Sequence, residues 1–225
     1  MARFTRMQVL NAMYEVGLVP VFYEADVDKA KKIVAAVADG GARCVEMTNR
    51  GDFAHLVFTE LVKHFAKERP DIILGVGSVT DGPTAVLFMQ CGANFIVGPT
   101  LSEEAALACN RRKVAYSPGC GSATEIQRAH ELGCEIVKVF PGGEVGGPPF
   151  VKNMLGPCPW TSIMPTGGVE ATEESVKAWI KAGAKVLGMG SNLITKDDVA
   201  KGNFAAITER TRQILQWIKD ARAAK

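Results

Sequence analysis

The feature that most restricts the fold of this chain is the alternation, from end to end, of short apolar segments with helical segments. The apolar segments have the length of β-strands, and the segments between them carry apolar residues three and four positions apart, as at Ile33, Val34 and Val37. Near-continuous apolar strands that alternate with helices are typical of a parallel sheet covered by helices. The expected strands are residues 18–23, 44–48, 72–76, 95–98, 114–117, 136–140, 162–165 and 186–189.

The number of these units predicts the architecture. Eight strand–helix units, with successive strands about two dozen residues apart, fit the length of a (β/α)8 barrel. We therefore predict an α/β fold, a (β/α)8 TIM barrel with an extra N-terminal helix around residues 5–16, as one domain over residues 1–225. A last helix is expected from residue 204 to about residue 222. An open doubly wound sheet is the alternative, but no Gly-x-Gly-x-x-Gly sequence follows a strand, and eight regular units favour the barrel.

Composition argues against several classes of protein. Lys and Arg number 26 against 24 Asp and Glu, for a net charge of +2, and the chain has no long basic or acidic block. Nothing therefore indicates a nucleic-acid partner or a membrane surface. The first residues are too polar for a signal peptide, and no apolar run is long enough to span a membrane. We expect a cytoplasmic protein.

Cysteine and histidine usage narrows the chemistry. The six cysteines form no Cys-x-x-Cys pair, and most lie in apolar surroundings, which predicts mostly buried, reduced thiols. The histidines His55, His64 and His130 fall in helical segments, and no two of them make a plausible metal pair. These patterns argue against a zinc site and against a serine–histidine triad. If the chain is an enzyme, we expect its reactive groups to be carboxylates and amines.

A lysine in the middle of an apolar strand is the first candidate for such an amine. Lys138 lies within Ile136-Val137-Lys138-Val139-Phe140, which ends in Pro141-Gly142-Gly143. Burial disfavours the ammonium and can lower the pKa of a lysine by up to ~3–5 units. The neutral amine is a nucleophile suited to forming a Schiff base with a carbonyl substrate. The alternative is a lysine that extends to the strand end or pairs with a buried carboxylate.

The second expected strand carries a candidate partner for this lysine. In Cys44-Val45-Glu46-Met47-Thr48-Asn49-Arg50, strand alternation places residues 44, 46, 48 and 50 on one face. If that face points inward, Glu46 stands near the barrel axis with Arg50 at the mouth. The functional interpretation is a proton-transfer carboxylate beside an arginine that binds an anion. The alternative is a Glu46–Lys138 ion pair kept for structure, although buried ion pairs are weak evidence of stability.

Glycine-rich turns follow the expected strands. Nearly every strand ends in glycine, proline, serine or threonine, and such turns let backbone N–H groups approach a ligand closely. Gly167-Gly168 follows the seventh expected strand and Gly190-Ser191 follows the eighth, where barrels of this kind often bind phosphate. The two loops together predict a phosphate site. The alternative is that these turns only close the barrel.

Together these segments resemble one enzyme family, the 2-keto-3-deoxy-6-phosphogluconate (KDPG) aldolases, many of which also cleave 4-hydroxy-2-oxoglutarate (KHG). The resemblance runs from about residue 17 to residue 194 and rests on six blocks in the order that the family has. The blocks are Val19-Pro20-Val21, Val45-Glu46-Met47-Thr48, Gly75-Val76-Gly77-Ser78-Val79, Ser117-Pro118-Gly119-Cys120, Val137-Lys138-Val139-Phe140-Pro141 and Pro165-Thr166-Gly167-Gly168-Val169.

The resemblance implies a trimeric (β/α)8 barrel of the class I aldolases, which need no metal or other cofactor. It implies that Lys138 forms the Schiff base and that Glu46 is the acid/base that works with a bound water. It also implies that Arg50 holds the substrate carboxylate. The other implied substrate-binding residues are Ser78, near the pyruvyl group, Pro99, Phe140 and Thr166, and the implied phosphate-binding residues are Gly167, Gly168 and Ser191.

Two departures from the family pattern concern the choice of substrate. Asn49 stands where the family commonly has leucine, and Gly51-Asp52 follows Arg50. Ser78 replaces the usual threonine, which keeps the hydroxyl and loses a methyl group. Both changes fall in the region that distinguishes one aldehyde half from another, and both catalytic candidates are retained.

The expected activity is retro-aldol cleavage of a 2-keto-4-hydroxy acid through a Schiff base. KDPG would give pyruvate and glyceraldehyde 3-phosphate, and KHG would give pyruvate and glyoxylate. The expected partners are a small keto acid and, by resemblance, further copies of the chain in a homotrimer, with no nucleic acid and no membrane. The alternatives are a phosphosugar isomerase or synthase on the same barrel and a trimeric scaffold without activity.

Overall fold

The structure, a computed structural model, describes residues 2–224 and alternates strands with helices as the sequence predicts. Its strands are β1 (Leu18–Phe22), β2 (Cys44–Thr48), β3 (Ile73–Gly77), β4 (Phe95–Val97), β5 (Ala115–Ser117), β6 (Gly119–Cys120), β7 (Ile136–Val139), β8 (Ser162–Pro165) and β9 (Leu187–Met189). Its helices are α1 (Arg6–Val16), α2 (Val27–Asp39), α3 (Ala54–Glu68), α4 (Gly82–Gln90), α5 (Glu103–Arg112), α6 (Ala123–Glu131), α7 (Gly147–Leu155), α8 (Glu173–Ala182), α9 (Lys196–Lys201) and α10 (Phe204–Ala223).

The strands are parallel and curl into a barrel. One hydrogen-bonded group has the order β5-β4-β3-β2-β1-β9, and the other has the order β6-β7-β8. The chain itself connects the two groups between β5 and β6, and a bridge between Thr166 and Gly188 connects them beyond the end of β8. The predicted (β/α)8 barrel with an extra N-terminal helix is confirmed.

The fifth predicted strand, residues 114–117, differs most from the structure. It continues past Pro118, with Ala115–Ser117 pairing with β4 and Gly119–Cys120 pairing with β7. Proline has no N–H to donate to a neighbouring strand, so the pairing changes at this residue. The two segments occupy one position in the barrel, and β6 belongs to the wall beside Lys138 because Gly119 pairs with it.

Apolar side chains close the amino end of the barrel. Helix α1 buries Val9, Leu10 and Met13 against side chains from the barrel interior. Those side chains come from the starts of the strands and include Cys44, Ile73, Phe95, Ala115 and Ile136. Because this end is filled, the carboxyl ends of the strands form the open end.

The helix starts follow the capping residues that the sequence contains. The side chains of Asp26, Asp81, Ser102 and Thr172 each accept a backbone N–H in the first turn of α2, α4, α5 and α8. The predicted last helix is α10, whereas the short helix α9 before it is not among the predicted elements.

Two predictions concern the chain as a whole. In the part that the structure describes, no helix is long and apolar enough to cross a membrane. The single domain over residues 1–225 stays a prediction, and its two terminal residues lie outside the described range.

Candidate active site at the open end of the barrel

Lys138 lies on the inner face of β7 with its side chain almost wholly buried. Ile136, two residues earlier, belongs to the apolar interior, whereas Val137 and Val139 pack outward under the helices. Only 5 % of Lys138 is exposed. Its Nζ lies 4.7 Å from the centroid of the Phe140 ring. The amine therefore stands inside the barrel and does not extend to solvent.

Glu46 occupies the corresponding face of β2. Cys44 on the same face points into the interior, while Val45 and Met47 pack outward. Both carboxylate oxygens of Glu46 are buried and have no hydrogen-bond partner among the described residues. Gly77 on β3 makes room for this group, since a Cβ there would overlap the Glu46 carboxylate. Burying a carboxylate without a partner costs free energy, which favours a role with a ligand or a water molecule.

The two buried groups influence each other without forming an ion pair. Burial is the main cause that lowers the pKa of the Lys138 ammonium; Glu46 opposes this shift and Arg50 adds to it. Burial likewise raises the pKa of the Glu46 carboxyl, against the opposing effects of Lys138 and Arg50. Both directions favour an uncharged amine beside a protonated carboxyl. The geometry thus does not support the alternative of a structural Glu46–Lys138 ion pair, because neither Glu46 oxygen has a partner among the described residues.

Arg50 lies beyond the end of β2, and its side chain is exposed. Within β2, Cys44, Glu46 and Thr48 therefore lie on one inward face, as the sequence pattern predicts. This face does not extend to Arg50, because the alternation of side chains ends with the strand. Arg50 Nε donates a hydrogen bond to Ser78 Oγ at 3.2 Å. This contact holds the guanidinium at the mouth of the barrel from the loop that follows β3.

A cavity of about 660 Å³ opens at this end of the barrel. Its wall includes Thr48, next to Glu46 on the inner face of β2, and Phe140, whose ring lies over Lys138. Lys138 and Glu46 themselves are not part of the wall and lie behind it. Six of the predicted site residues line the cavity: Arg50, Phe140, Thr166, Gly167, Gly168 and Ser191.

Pro99 and Ser78 are the two predicted site residues that remain, and both lie outside this cavity wall. The carbonyl of Pro99 packs against Gly119, where a Cβ would overlap it, and Gly119 is the strand partner of Lys138. Ser78 contacts the site through Arg50. Its φ of 58° lies in the left-handed region, where a β-branched side chain is strained.

The glycines after β8 form a backbone wall of the cavity. Gly167 and Gly168 have φ angles of 83° and 74°, in the region that favours glycine. A Cβ at Gly168 would lie 2.7 Å from Gly143 Cα. The close contact between the loops after β7 and β8 therefore requires glycine at position 168. Gly143 N–H donates to the Gly167 carbonyl at 3.1 Å, and Trp179 Nε1 donates to the Gly168 carbonyl at 3.2 Å. This wall is therefore rigidly supported.

The loop after β9 is held by a second set of hydrogen bonds. Asn192 Nδ2 donates to the Val169 carbonyl at 3.0 Å, which ties this loop to the one after β8. Arg210 of α10 donates to the Leu193 carbonyl at 2.7 Å and to Asp198 Oδ2 at 3.0 Å. The hydrogen bond from Thr195, the main cause, and the one from Arg210 lower the pKa of the Asp198 carboxyl. These hydrogen bonds fix the residues that follow Ser191, which lines the same cavity as Gly167 and Gly168.

Among the described residues, no cysteine or histidine lines this cavity. Burial raises the pKa of the Cys44, Cys109, Cys120 and Cys134 thiols to about 12, which confirms the expectation of mostly buried thiols. Within residues 2–224, no group of three or more His, Cys, Asp or Glu side chains could hold a metal ion.

Several side chains of the cavity wall are missing from the residues that the sequence analysis selects. Among them are Tyr23 and Lys29, after β1, and Lys196, at the start of α9. For Lys196 a signal exists, because Thr195 followed by Asp197-Asp198 is a helix-start pattern. No local pattern marks Tyr23 or Lys29, whose place in the wall depends on the barrel.

The fold and this arrangement define the class of protein: a (β/α)8-barrel aldolase, a lyase, with a buried amine and a buried carboxyl at the open end of the barrel. The chain belongs to the KDPG and KHG aldolase family, whose model matches residues 9–210. 

Known members of the family are similar over nearly the whole chain. The 2-dehydro-3-deoxy-phosphogluconate aldolase of Treponema pallidum is 31 % identical over 211 residues, which cover 93 % of this chain and 97 % of the relative. The KDPG aldolase structure from Zymomonas mobilis ATCC 29191 has a TM-score of 0.78 at 26 % identity, covering 92 % of this chain and 97 % of its own. The fold is also that of KDPG aldolase from Legionella pneumophila, solved with pyruvate captured as a covalent carbinolamine, with a TM-score of 0.82 at 24 % identity and coverage of 90 % and 96 %.

Proposed function

We propose that this chain is a class I aldolase that cleaves a 2-keto-4-hydroxy acid by retro-aldol chemistry, with KDPG as main substrate and KHG as a further one. The observation that carries the proposal is the pair of Lys138 and Glu46, buried on the inner face of the barrel and both shifted toward their neutral forms. The similarity to the Treponema pallidum aldolase supports the choice of substrate.

Lys138 starts the proposed reaction as a neutral nucleophile. Its amine attacks the C2 ketone of the substrate to give a carbinolamine. The carbinolamine hydroxyl takes the proton of the Glu46 carboxyl and leaves as water, so that a protonated imine remains on Lys138 and Glu46 becomes a carboxylate. The positive charge accepts the electron pair of the breaking C3–C4 bond, so that an enamine forms in place of a carbanion. Burial, which lowers the pKa of Lys138, keeps the amine in its reactive form.

Glu46 is the proposed proton carrier and acts through a water molecule. The iminium charge on Lys138 favours the Glu46 carboxylate. This carboxylate takes the C4 hydroxyl proton as the C3–C4 bond breaks, and the carboxylic acid then returns a proton to C3 of the enamine. Hydrolysis of the imine releases pyruvate; the aldehyde product is glyceraldehyde 3-phosphate from KDPG or glyoxylate from KHG.

The remaining residues are proposed to bind and orient the substrate. Arg50 binds the C1 carboxylate through its guanidinium, a group suited to a planar carboxylate. Its hydrogen bond with Ser78 supports this position at the barrel mouth. The proposed substrate-binding set is Arg50, Ser78, Pro99, Phe140 and Thr166, and the proposed phosphate-binding set is Gly167, Gly168 and Ser191.

Borohydride trapping tests the proposal, because the competing functions do not need a covalent lysine adduct. The competitors are a phosphosugar isomerase or synthase and an inactive scaffold. After incubation with pyruvate and sodium borohydride, intact-mass analysis should show one reduced pyruvyl group on the wild type. Lys138→Ala should gain none, and Lys152→Ala, a variant of an exposed lysine on α7, should gain one. Absence of an adduct on folded wild type would reject the Schiff base.

The same assay separates the roles of the two buried groups. Glu46→Gln should still be trapped by borohydride, because Lys138 is intact. Its rate of pyruvate formation from KDPG should fall by ~10²–10⁴-fold, the ordinary contribution of a general acid–base. A Glu46→Gln variant with the wild-type rate would remove Glu46 from the mechanism.

We further propose a cytoplasmic homotrimer. Trp160 supports a subunit contact near the end of α7, because 70 % of this large side chain is exposed and exposed aromatic residues are enriched at interfaces. Sedimentation of the wild type should give the mass of three chains, and Trp160→Ser should shift it toward one chain. A monomeric wild type would contradict the proposal.

A further inference from the structure

Positive charge lines the cavity beyond the predicted site residues. Lys29, Arg50 and Lys196 contribute to its wall, and Glu24 is the acidic residue among the described wall residues. Glu24 Oε1 already accepts a hydrogen bond from the Asp26 backbone N–H at 2.9 Å. The cavity therefore favours a ligand with more negative charge than one carboxylate carries.

The two lysines come from neighbouring units of the barrel. Lys29 lies in the first turn of α2, after β1, and Lys196 is the first residue of α9, after β9. Strands β1 and β9 pair directly, so the segments that follow them begin side by side. Both lysines line the same cavity as the Gly167-Gly168 turn and Ser191.

Neither ammonium is engaged in an ion pair with a described residue, in contrast to its neighbours on the same helix. Lys31 pairs with Asp28 at 3.4 Å, and Lys201 pairs with Asp197 at 2.9 Å. Asp26, the capping residue nearest to Lys29, accepts the backbone N–H groups of the first turn of α2. Lys29 and Lys196 are therefore available to an anion that enters the cavity.

A buried hydroxyl gives a second, independent indication of a ligand. Thr166 Oγ1 is buried and has no hydrogen-bond partner within the described residues, although Thr166 contributes to the cavity wall. Gly188 leaves the space that this hydroxyl occupies, since a Cβ there would overlap it. A buried hydroxyl without a partner costs free energy unless a ligand or water satisfies it.

We propose that Lys29 and Lys196 are specificity-determining residues that bind the phosphate monoester at the far end of the keto acid. The inference rests on the proposed function, which assigns Arg50 to the C1 carboxylate and Lys138 to the C2 ketone. A phosphate monoester carries about −1.5 to −2 charge at neutral pH, whereas the far carboxylate of KHG carries a single charge. Two unpaired ammonium groups therefore favour the phosphorylated substrate.

Steady-state kinetics with both substrates test the two lysines. Lys29→Met and Lys196→Met should each raise KM for KDPG by about tenfold, the effect of losing a hydrogen bond to a charged group. KM for KHG should change by less than about threefold, since a single carboxylate gains less from the pair. The matched controls are Lys31→Met and Lys201→Met, which remove the paired lysines of the same two helices and should leave both KM values unchanged.

Binding of inorganic phosphate, measured by calorimetry, examines the same subsite without catalysis. The wild type should bind phosphate more tightly than the Lys29→Met/Lys196→Met double variant. The double control, Lys31→Met/Lys201→Met, should bind phosphate as tightly as the wild type. The inference is overturned if the wild type, the double variant and the double control bind phosphate equally. It is also overturned if the lysine substitutions raise KM for KDPG and for KHG by the same factor. If the wild type forms no pyruvate adduct but binds phosphate through the two lysines, the proposed reaction fails while this anion site stands.

Discussion

At the amino end of the barrel the inward side chains are apolar, whereas at the carboxyl end the same strands carry an amine and a carboxyl. On β7 the change takes place between Ile136 and Lys138, and on β2 between Cys44 and Glu46. All four side chains are buried. Burial of the apolar pair stabilises the fold, while burial of the ionisable pair costs free energy. The comparison separates positions kept for stability from positions kept for chemistry.

Helix α1 at the closed end and the turn after β3 at the open end also differ in their backbone. Helix α1 is capped by Thr5, whose hydroxyl accepts the Gln8 backbone N–H while Gln8 Oε1 accepts the Thr5 backbone N–H, a favourable arrangement. At the open end, Ser78 has a φ of 58°, which few residues other than glycine adopt readily. Such strain is typical of functional sites, where the surrounding structure maintains it.

The largest expected effect is the loss of activity without loss of stability at Lys138. Lys138→Met should reduce pyruvate formation by ~10³-fold or more, as removal of a catalytic nucleophile does. Its free energy of unfolding should equal or exceed that of the wild type, because an apolar side chain of similar size replaces a buried amine. Coupled pyruvate assays and urea unfolding measure the two quantities. A variant that unfolds easily would mean that the amine is structural.

The opposite result is expected two residues earlier. Ile136→Ala should lower the free energy of unfolding by ~2–5 kcal/mol, because it leaves a cavity in the closed end. The folded fraction should keep the wild-type rate per active site, counted by borohydride trapping at low temperature. If the rate per trapped site falls as it does in Lys138→Met, the two ends are not separable.

The cost of the buried carboxyl should depend on pH. Glu46→Met should raise the free energy of unfolding by ~1–3 kcal/mol at neutral pH, the usual cost of an unsatisfied buried polar group. The pKa of Glu46 is raised in the folded state above its ordinary value of 4.5. Above pH 4.5 the unfolded chain therefore binds fewer protons at this carboxyl than the folded chain does. The wild type therefore gains stability as the pH falls toward 4.5, and the advantage of the variant shrinks. Urea unfolding over a pH series measures this; an advantage independent of pH would contradict the shift.

The smallest effect is expected at the contact between Ser78 and Arg50. Ser78→Ala removes one exposed hydrogen bond, worth about 1 kcal/mol, and should raise KM about fivefold with little change in kcat. Ser78→Thr restores the hydroxyl but places a β-branched residue at a positive φ, so we expect it to be less stable than the wild type. Equal KM values for the wild type and Ser78→Ala would show that Arg50 is held without Ser78.

Local patterns of the sequence predict most of the fold. The bounds predicted for residues 44–48 and 162–165 agree with β2 and β8, because apolar periodicity and turn residues are properties of neighbouring positions. The fifth strand is the main departure, since its continuation beyond Pro118 depends on pairing with β7. The sequence pattern does not predict helix α9, because this helix is only six residues long, too short for a clear apolar period.

The sequence by itself determined that a lysine and a glutamate lie within two separate apolar strands, because apolar runs bounded by turn residues mark strands, and it left open which face of each strand points into the barrel. Only the tertiary structure decided that Gly77 makes room for the Glu46 carboxylate, that Arg50 reaches Ser78, and that the segments after β1 and β9 bring positive charge to one cavity. These contacts join residues far apart along the chain, so their geometry depends on the closed barrel and not on any local pattern.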